Sequence, residues 1–571
     1  MSEDRPDVTI AEASSEAAVD PAGVHEQPFD ELAVTLSGGG YRAAAFHLGV
    51  LDLLDRLGLL QSVRVLSTVS GGTFTGMKYA LSVVEGVPFE EFYAGFRDFL
   101  VKTNVIGDAL ADFQDRPGTP FAGQMPSLVR GSAKTLAAPE LFGDKRFRVL
   151  LDNQTSHLKE VSFNATEFST GNYFRVQRSE SAAAIIGNRN FQVSRDVAAM
   201  MRLADIAAAS SCFPGAFEPI RFPDDFLWPT DLNEVRRALG PDFKSCVALM
   251  DGGIYDNQGV DSVVQTYKRK GNRLGLVVVS DTNQRSPVAD ADQPGVASGT
   301  GKQRRDPLFD FKPEKRRGHL KLGTILMLGW LAFILSVLSS VALVAAWVRS
   351  ASARAAAPGG YHSGDFFLDF LLYGFPLLLT VVVAVALFWL RRRSEEGEKS
   401  VAQLTTIQLW PYARTLTASE LIYLIAGRAK STLALTSSVF MKRVRELIYR
   451  DIKVYPKYQG REISNLIYDL DDTGKFKKEV VQKLAPAAEL SALAREAEGV
   501  ATALWLKGPE DLKNLIACGQ ATTCFNLMRY ILEDRTGDTL TPEPGSREAE
   551  IYAAAEPLWE KLKANRYALL R

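Results

Sequence analysis

The sequence is short of the residues that build metal centres and disulfide frameworks. Only four cysteines and five histidines occur among 571 residues. Cys212, Cys246, Cys518 and Cys524 form no C-x-x-C pair and no zinc pattern with the histidines. No metal site, no other cofactor and no disulfide scaffold is expected, and a reducing compartment suits the chain. Neither sign of charge is in excess, with 66 Lys and Arg against 67 Asp and Glu. That argues against a nucleic-acid binder working through a global positive field. Residues 1–29 lack the basic start and apolar core of a secretory signal. Their Ala, Glu, Asp, Ser and Pro content predicts a disordered acidic leader.

What is present is a regular alternation. Across residues 30–285 apolar strand patterns alternate with helical ones, which predicts an α/β fold with a mainly parallel sheet and helices on both faces. The β-branched run Val63–Val69 breaks at Ser70-Gly71-Gly72 and resumes as a helix pattern through Met77, Tyr79 and Leu81. A serine on a sharp strand-to-helix turn has its Oγ lifted clear of the sheet, so Ser70 is the candidate nucleophile. Gly71 and Gly72 leave that turn free of side chains. The usual G-x-S-x-G pattern is broken, because Thr68 stands at its first position.

Two other strand ends support the assignment. Leu32–Leu36 runs into Ser37-Gly38-Gly39-Gly40-Tyr41-Arg42, and Cys246–Met250 runs into Asp251-Gly252-Gly253. A glycine loop, a serine elbow and an Asp-Gly-Gly, each closing a strand, together resemble the patatin-like phospholipase family, of the bacterial, membrane-anchored type. Phe163–Glu167 and Ala208–Pro214 extend the resemblance. It implies a three-layer sandwich and a Ser/Asp dyad that hydrolyses lipid esters. On that basis Ser70 attacks the acyl carbonyl and Asp251 takes its proton. Backbone N–H groups of Gly38, Gly39 and Gly40 receive the developing oxyanion, a role worth about 3–4 kcal/mol per good donor. Arg42 either holds this loop or meets a phosphate, and Gly252 and Gly253 shape the turn around the acid.

Three rival readings are weaker. A Ser-His-Asp hydrolase places its histidine after the acid. Beyond Asp251 only His319 and His362 follow, one beside an apolar segment and one between two, while His47 lies on the first helix as a packed or surface residue. A dinucleotide site would use Gly38-x-Gly40-x-x-Ala43, but it needs an acidic residue at the end of the second strand, where Thr68-Val69-Ser70 stands. Asp52 and Asp55 fall inside the preceding helix. The third rival is a catalytically inactive scaffold serving as a membrane receptor or assembly platform. Thr68 favours it slightly; retention of Ser70 and Asp251 opposes it.

Residues 286–321 read as a basic linker. Leu322–Val348 then gives 27 residues without a formal charge, about 40 Å of helix, more than the roughly 20 residues a bilayer core requires. A second run, residues 366–390, carries only Asp369, and residues 349–365 form the loop between them. A two-helix membrane hairpin is expected. Lys312, Lys315, Arg316, Arg317 and Lys321 precede it and Arg391-Arg392-Arg393 follows, which places both large parts of the chain on the cytoplasmic side, with Asp369 at the outer interface. For the bacterial type, that membrane is the inner one.

Residues 400–571 read as helical, part of them docking back on the catalytic domain. Val439, Phe440, Val444, Leu447 and Ile448 mark one apolar stripe there. Phe96, Phe99, Phe113, Phe121 and Leu128 are candidates for an acyl pocket, though each is more readily a core residue. The partners expected are a bilayer and a membrane lipid substrate, with no nucleic acid.

Overall fold

A computed structural model describes residues 28–111, 127–285 apart from 215, 241, 242, 244, 245 and 271–274, residues 322–356 and 362–383, and residues 460–571 apart from 537 and 538, with isolated positions 385, 444 and 447. The acidic leader through residue 27, the linker 286–321, the arginine triplet, the 439–448 stripe apart from 444 and 447, and Phe113 and Phe121 lie outside the described residues. The chain forms two units, one from residues 1–301 with 435–571 and one from 302–434.

In the first unit the strands are β1 (Leu32–Leu36), β2 (Val63–Val69), β3 (Glu160–Glu167), β4 (Tyr173–Arg178), β5 (Ile186–Gly187), β6 (Gln192–Val193), β7 (Ile220–Phe222), β8 (Val247–Asp251), β9 (Leu276–Asp281) and β10 (Glu462–Leu466). They make one mixed sheet in the order β10-β9-β1-β2-β3-β4-β5-β6, with β8 pairing β3 and β7. The strands from β10 to β3 run parallel. β4 and β8 pair antiparallel with β3.

Alternation along the strands sends side chains to two faces. Leu32, Val34 and Leu36 of β1 enter the main core, which also takes the apolar stripes of α1 (Gly40–Arg56) and α2 (Gly71–Glu85). Ala33 points the other way, into a smaller core with Val277 and Val279, closed by Val260, Val263 and Tyr267 of the helix Val260–Arg269. Helices therefore cover both faces. Phe96 and Phe99, on α3 (Phe89–Lys102), stack on each other within the main core rather than lining a pocket, and Leu128 packs against that core.

One sequence reading needs correction. Within the supposedly all-helical C-terminal region, Glu462–Leu466 is a strand that pairs in parallel with β9 and extends the sheet. Of its residues only Ile463 has strong strand propensity. The exposed edge of β9 supplies the hydrogen bonds, and Ile463 is buried by the main core. The helix Pro509–Tyr530 then lies on α1 at very short range. A Cβ on Gly519 would sit 2.1 Å from the Phe46 carbonyl oxygen, and one on Gly49 would sit 2.0 Å from that of Ile516. Only hydrogen at both positions permits this crossing.

The second unit contains a helix, Leu322–Ala355, and a helical segment from Ser363 to Val383 with one wider turn at Phe370–Gly374. Met327–Ala355 and Gly364–Val383 are long and apolar enough to cross a membrane, and their apolar side chains are largely exposed. Ser340 and Thr380 hydroxyls meet at 2.8 Å between the two. Asp369, expected at an outer interface, is fully buried between the helices, where it accepts from Ser350 at 2.8 Å and pairs with Arg354 at 3.3 Å.

Candidate active site

Strand β3 works as a ruler that brings the two key residues together. Its Asn164 is opposite Val69, the last residue of β2, and its next residue, Ala165, is opposite Asp251 of β8. Because β8 begins to pair on β3 where β2 has stopped, the residue after Val69 meets Asp251. The Ser70 side chain thereby stands beside the Asp251 carboxylate, close enough to lower its pKa.

Ser70 caps α2 with φ 51° and ψ −123°, a conformation that side-chain-bearing residues rarely adopt. Close backbone packing holds it there. A Cβ on Gly71 would lie 1.9 Å from the Gly40 carbonyl oxygen, one on Gly72 2.3 Å from that of Leu36, and one on Gly252 2.3 Å from that of Asn164. The turn is thus pressed on the glycine loop, and the acid's loop on β3, backbone to backbone.

A buried chain of hydroxyls pins the elbow. The Ser70 N–H donates to Ser210 Oγ at 3.0 Å, and Ser210 in turn donates to the Asn164 carbonyl at 2.7 Å. Thr73 Oγ1 lies 2.8 Å from Ser210 Oγ and 3.0 Å from Thr68 Oγ1. Thr68, the departure from the usual glycine, thereby joins the network under the serine.

Asp251 is 3% exposed. It accepts the Gly253 N–H at 2.7 Å. Burial outweighs the lowering effects of the neighbouring Ser70 and of the Gly253 N–H and lifts its pKa from 3.8 to about 6. The carboxylate is still mostly ionised at neutral pH, and is a better proton acceptor than an ordinary aspartate.

The glycine loop is tied down on several sides. The Gly38 N–H donates to the Asn257 carbonyl at 3.0 Å, and the Gly38 carbonyl accepts from Thr282 at 3.1 Å. Gly38 is therefore not a free oxyanion donor here, which corrects the sequence expectation. Gly39 and Gly40 keep N–H groups without an acceptor among the described residues. Arg42 is buried, and its Nη1 donates to the Val500 carbonyl at 3.0 Å and to that of Glu498 at 3.5 Å. Tyr41 N–H donates to the Ala503 carbonyl at 2.7 Å, so the C-terminal segment clamps the same loop.

His47 is packed beneath the loop, with Nε2 at 3.1 Å from the Ser37 carbonyl and Nδ1 at 3.0 Å from Ser280 Oγ. Burial lowers its pKa to about 4. The neutral ring donates from Nε2 and accepts at Nδ1; it supports the loop and does not reach the dyad. No group of His, Cys, Asp and Glu among the described residues is arranged to hold a metal.

Sequence reasoning missed Ser210, Asn257 and Asp256 as parts of the site. Asp256 accepts the N–H groups of Gln258 at 3.1 Å, Gly259 at 3.0 Å and Asp261 at 2.7 Å, which shapes the loop carrying Asn257. The run Asp256-Asn257-Gln258-Gly259 has the composition of such a side-chain-closed turn, and that was the available signal.

Residues 34–264 match the family model described as patatin-like phospholipase. No curated protein matches the chain. Among solved structures, human GIVD cytosolic phospholipase A2 aligns at 16% identity and a TM-score of 0.30, covering 46% of this chain and 47% of that one. The same human enzyme in complex with methyl gamma-linolenyl fluorophosphonate inhibitor and terbium chloride aligns at 17% identity and a TM-score of 0.28, covering 46% and 42%. The chain thus spans about half the length of the solved proteins it matches.

Proposed function

We propose that the chain, whose residues 34–264 match the patatin-like phospholipase model, is a membrane-tethered serine acyl hydrolase of phospholipid esters. The observation that carries the reading is the register on β3 that sets Ser70 beside Asp251, a buried carboxylate whose pKa is lifted to about 6.

In this mechanism Ser70 Oγ adds to the ester carbonyl while its proton passes to Asp251. The tetrahedral oxyanion forms against the N–H groups of Gly39 and Gly40. Bare donors fixed before the reaction stabilise that charge without reorganisation. Asp251 then returns the proton to the departing alkoxide, leaving Ser70 acylated. A water molecule, deprotonated by Asp251, attacks the acyl-enzyme and releases the fatty acid. Arg42 keeps the glycine loop in register throughout.

The helices Met327–Ala355 and Gly364–Val383 act as a membrane hairpin, and the basic residues that flank it in the sequence keep both halves of the first unit on the cytoplasmic face. Tethering keeps the enzyme at its substrate. The test is fatty-acid release from phospholipid bilayers containing the purified full-length chain. Release by the wild type and none by Ser70→Ala supports the proposal; equal release by both, or none by either when folded, rejects it.

A further inference from the structure

A cavity of about 500 Å³ opens where β2 and β3 begin. Arg64, the second residue of β2, lines it, whereas Ser70 follows the last residue of that strand. At about 3.3 Å per residue, about 20 Å separates the two. The cavity therefore lies at the other end of the sheet from the dyad. Its volume falls in the range usual for small-molecule sites and is far larger than an inorganic ion needs.

The walls are of two kinds. Partly exposed Phe89 provides an apolar side, backed by the buried rings of Tyr79 and Phe92, with Tyr79 5.6 Å from Phe92 and 6.3 Å from Phe89 between ring centroids. Arg64 and Lys159 provide a cationic side, with His157 beside them. Arg64 Nη1 donates to the His157 carbonyl at 3.3 Å, and among the described residues no carboxylate pairs with this guanidinium. Lys159 pairs at 3.2 Å with Glu180, which is half exposed; a pair that open to water contributes little. The single carboxylate on the wall, Asp55, is engaged by Arg571 at 2.5 Å.

His157 adds to the same character. Its Nε2 is 3.1 Å from the Tyr79 hydroxyl. Burial, then the charges of Arg64 and Lys159, push its pKa down to about 4. The ring is neutral at pH 7 and shares a hydrogen bond with the Tyr79 hydroxyl through Nε2. A cation with no counter-ion among the described residues and a second, weakly paired cation thus stand across from Phe89.

We infer that this cavity is a binding site, separate from the Ser70 centre, for an organic anion whose phosphate or carboxylate head is held by Arg64 and Lys159 and whose apolar body rests on Phe89, backed by Tyr79 and Phe92. The head chemistry is shared by water-soluble metabolites and by anionic lipids, and the test separates these sources.

The experiment is calorimetric titration of the detergent-solubilised full-length Ser70→Ala protein with phenyl phosphate and with dihexanoyl phosphatidic acid. Saturable binding at one site per chain is expected from at least one. Binding of phenyl phosphate indicates a soluble ligand, and binding of the phosphatidic acid alone indicates a lipid. Arg64→Gln should weaken either by about tenfold or more, the loss expected for a charged hydrogen bond. Gln61→Glu, an exposed change on the rim, adds a repelling carboxylate and should also weaken binding with unchanged melting. If Arg64→Gln lowers the melting temperature, Gln61→Glu decides. Absence of binding by both probes, or binding that survives both substitutions, overturns the inference. Hydrolysis is not part of the readout, so either result leaves the proposed activity to its own test.

Discussion

Thr68 and Gly76 share one space: a Cβ on Gly76 would lie 2.4 Å from Thr68 Cγ2. Thr68 stands where nucleophile elbows usually carry glycine, two residues before the serine. Here the glycine has moved one turn along α2, and the strand keeps a side chain. That side chain brings a hydroxyl into the chain Thr68–Thr73–Ser210 that ends on the Ser70 N–H. The departure from the motif is thereby compensated in three dimensions.

Gly76→Ala should accordingly cost about 1–3 kcal/mol through overpacking. Thr68→Ser removes the obstructing methyl and keeps the hydroxyl. The double variant Thr68→Ser/Gly76→Ala should therefore recover most of the loss in thermal unfolding. No recovery would mean that Leu36 Cδ1, 3.2 Å from the added carbon, sets the limit instead.

Ser210→Ala deprives the Ser70 N–H of its acceptor inside the protein. An unsatisfied buried donor costs about 1–3 kcal/mol. Since the strained elbow depends on it, kcat on a soluble ester should fall by about tenfold to a hundredfold with KM little changed. A change in KM alone would contradict the assignment of Ser210 to positioning the nucleophile.

Asp251→Asn should abolish turnover and raise stability. Holding this carboxyl at a pKa of about 6 instead of 3.8 costs the fold about 3 kcal/mol once it ionises. The folded state prefers the protonated acid, so its contribution is complete below the unfolded pKa and is lost as pH rises through 6. The wild type should lose stability relative to Asp251→Asn over that interval. Asp256, whose pKa burial also lifts to about 6, is present in both proteins and cancels in the comparison. Chemical unfolding at pH 4 and pH 8 reads the difference.

The same ionisation governs activity with the opposite sign. Only the carboxylate accepts a proton, so kcat/KM on a soluble ester should climb through pH 6 and level off above it. A profile already flat from pH 4.5 upward would remove Asp251 as the base.

Ser70 and Asp251 were legible because each ends an apolar strand against glycines, a pattern contained in a few neighbouring residues. Their meeting was not legible in the same way. It depends on β8 running antiparallel to β3 and pairing beyond the end of β2, and nothing in Cys246–Met250 announces a direction. The strand Glu462–Leu466 was hidden for a related reason: the edge of β9 makes it a strand, not its own composition. Loop donors posed a third kind of problem. Three consecutive glycines look alike in sequence, yet the Asn257 carbonyl occupies the first and leaves the next two. Ser210 lay within a recognisable segment, but its role follows from which way one hydroxyl points, and that is set by the docking of the helix Leu203–Ser211 on β3.

The most direct measurement is covalent labelling with a fluorophosphonate, followed by mass spectrometry of the digested full-length protein. The account predicts a single adduct on the peptide containing Ser70, absent in Ser70→Ala and formed far more slowly in Asp251→Asn. An adduct on another serine, or no adduct on folded wild-type protein across pH 6 to 8, would contradict it.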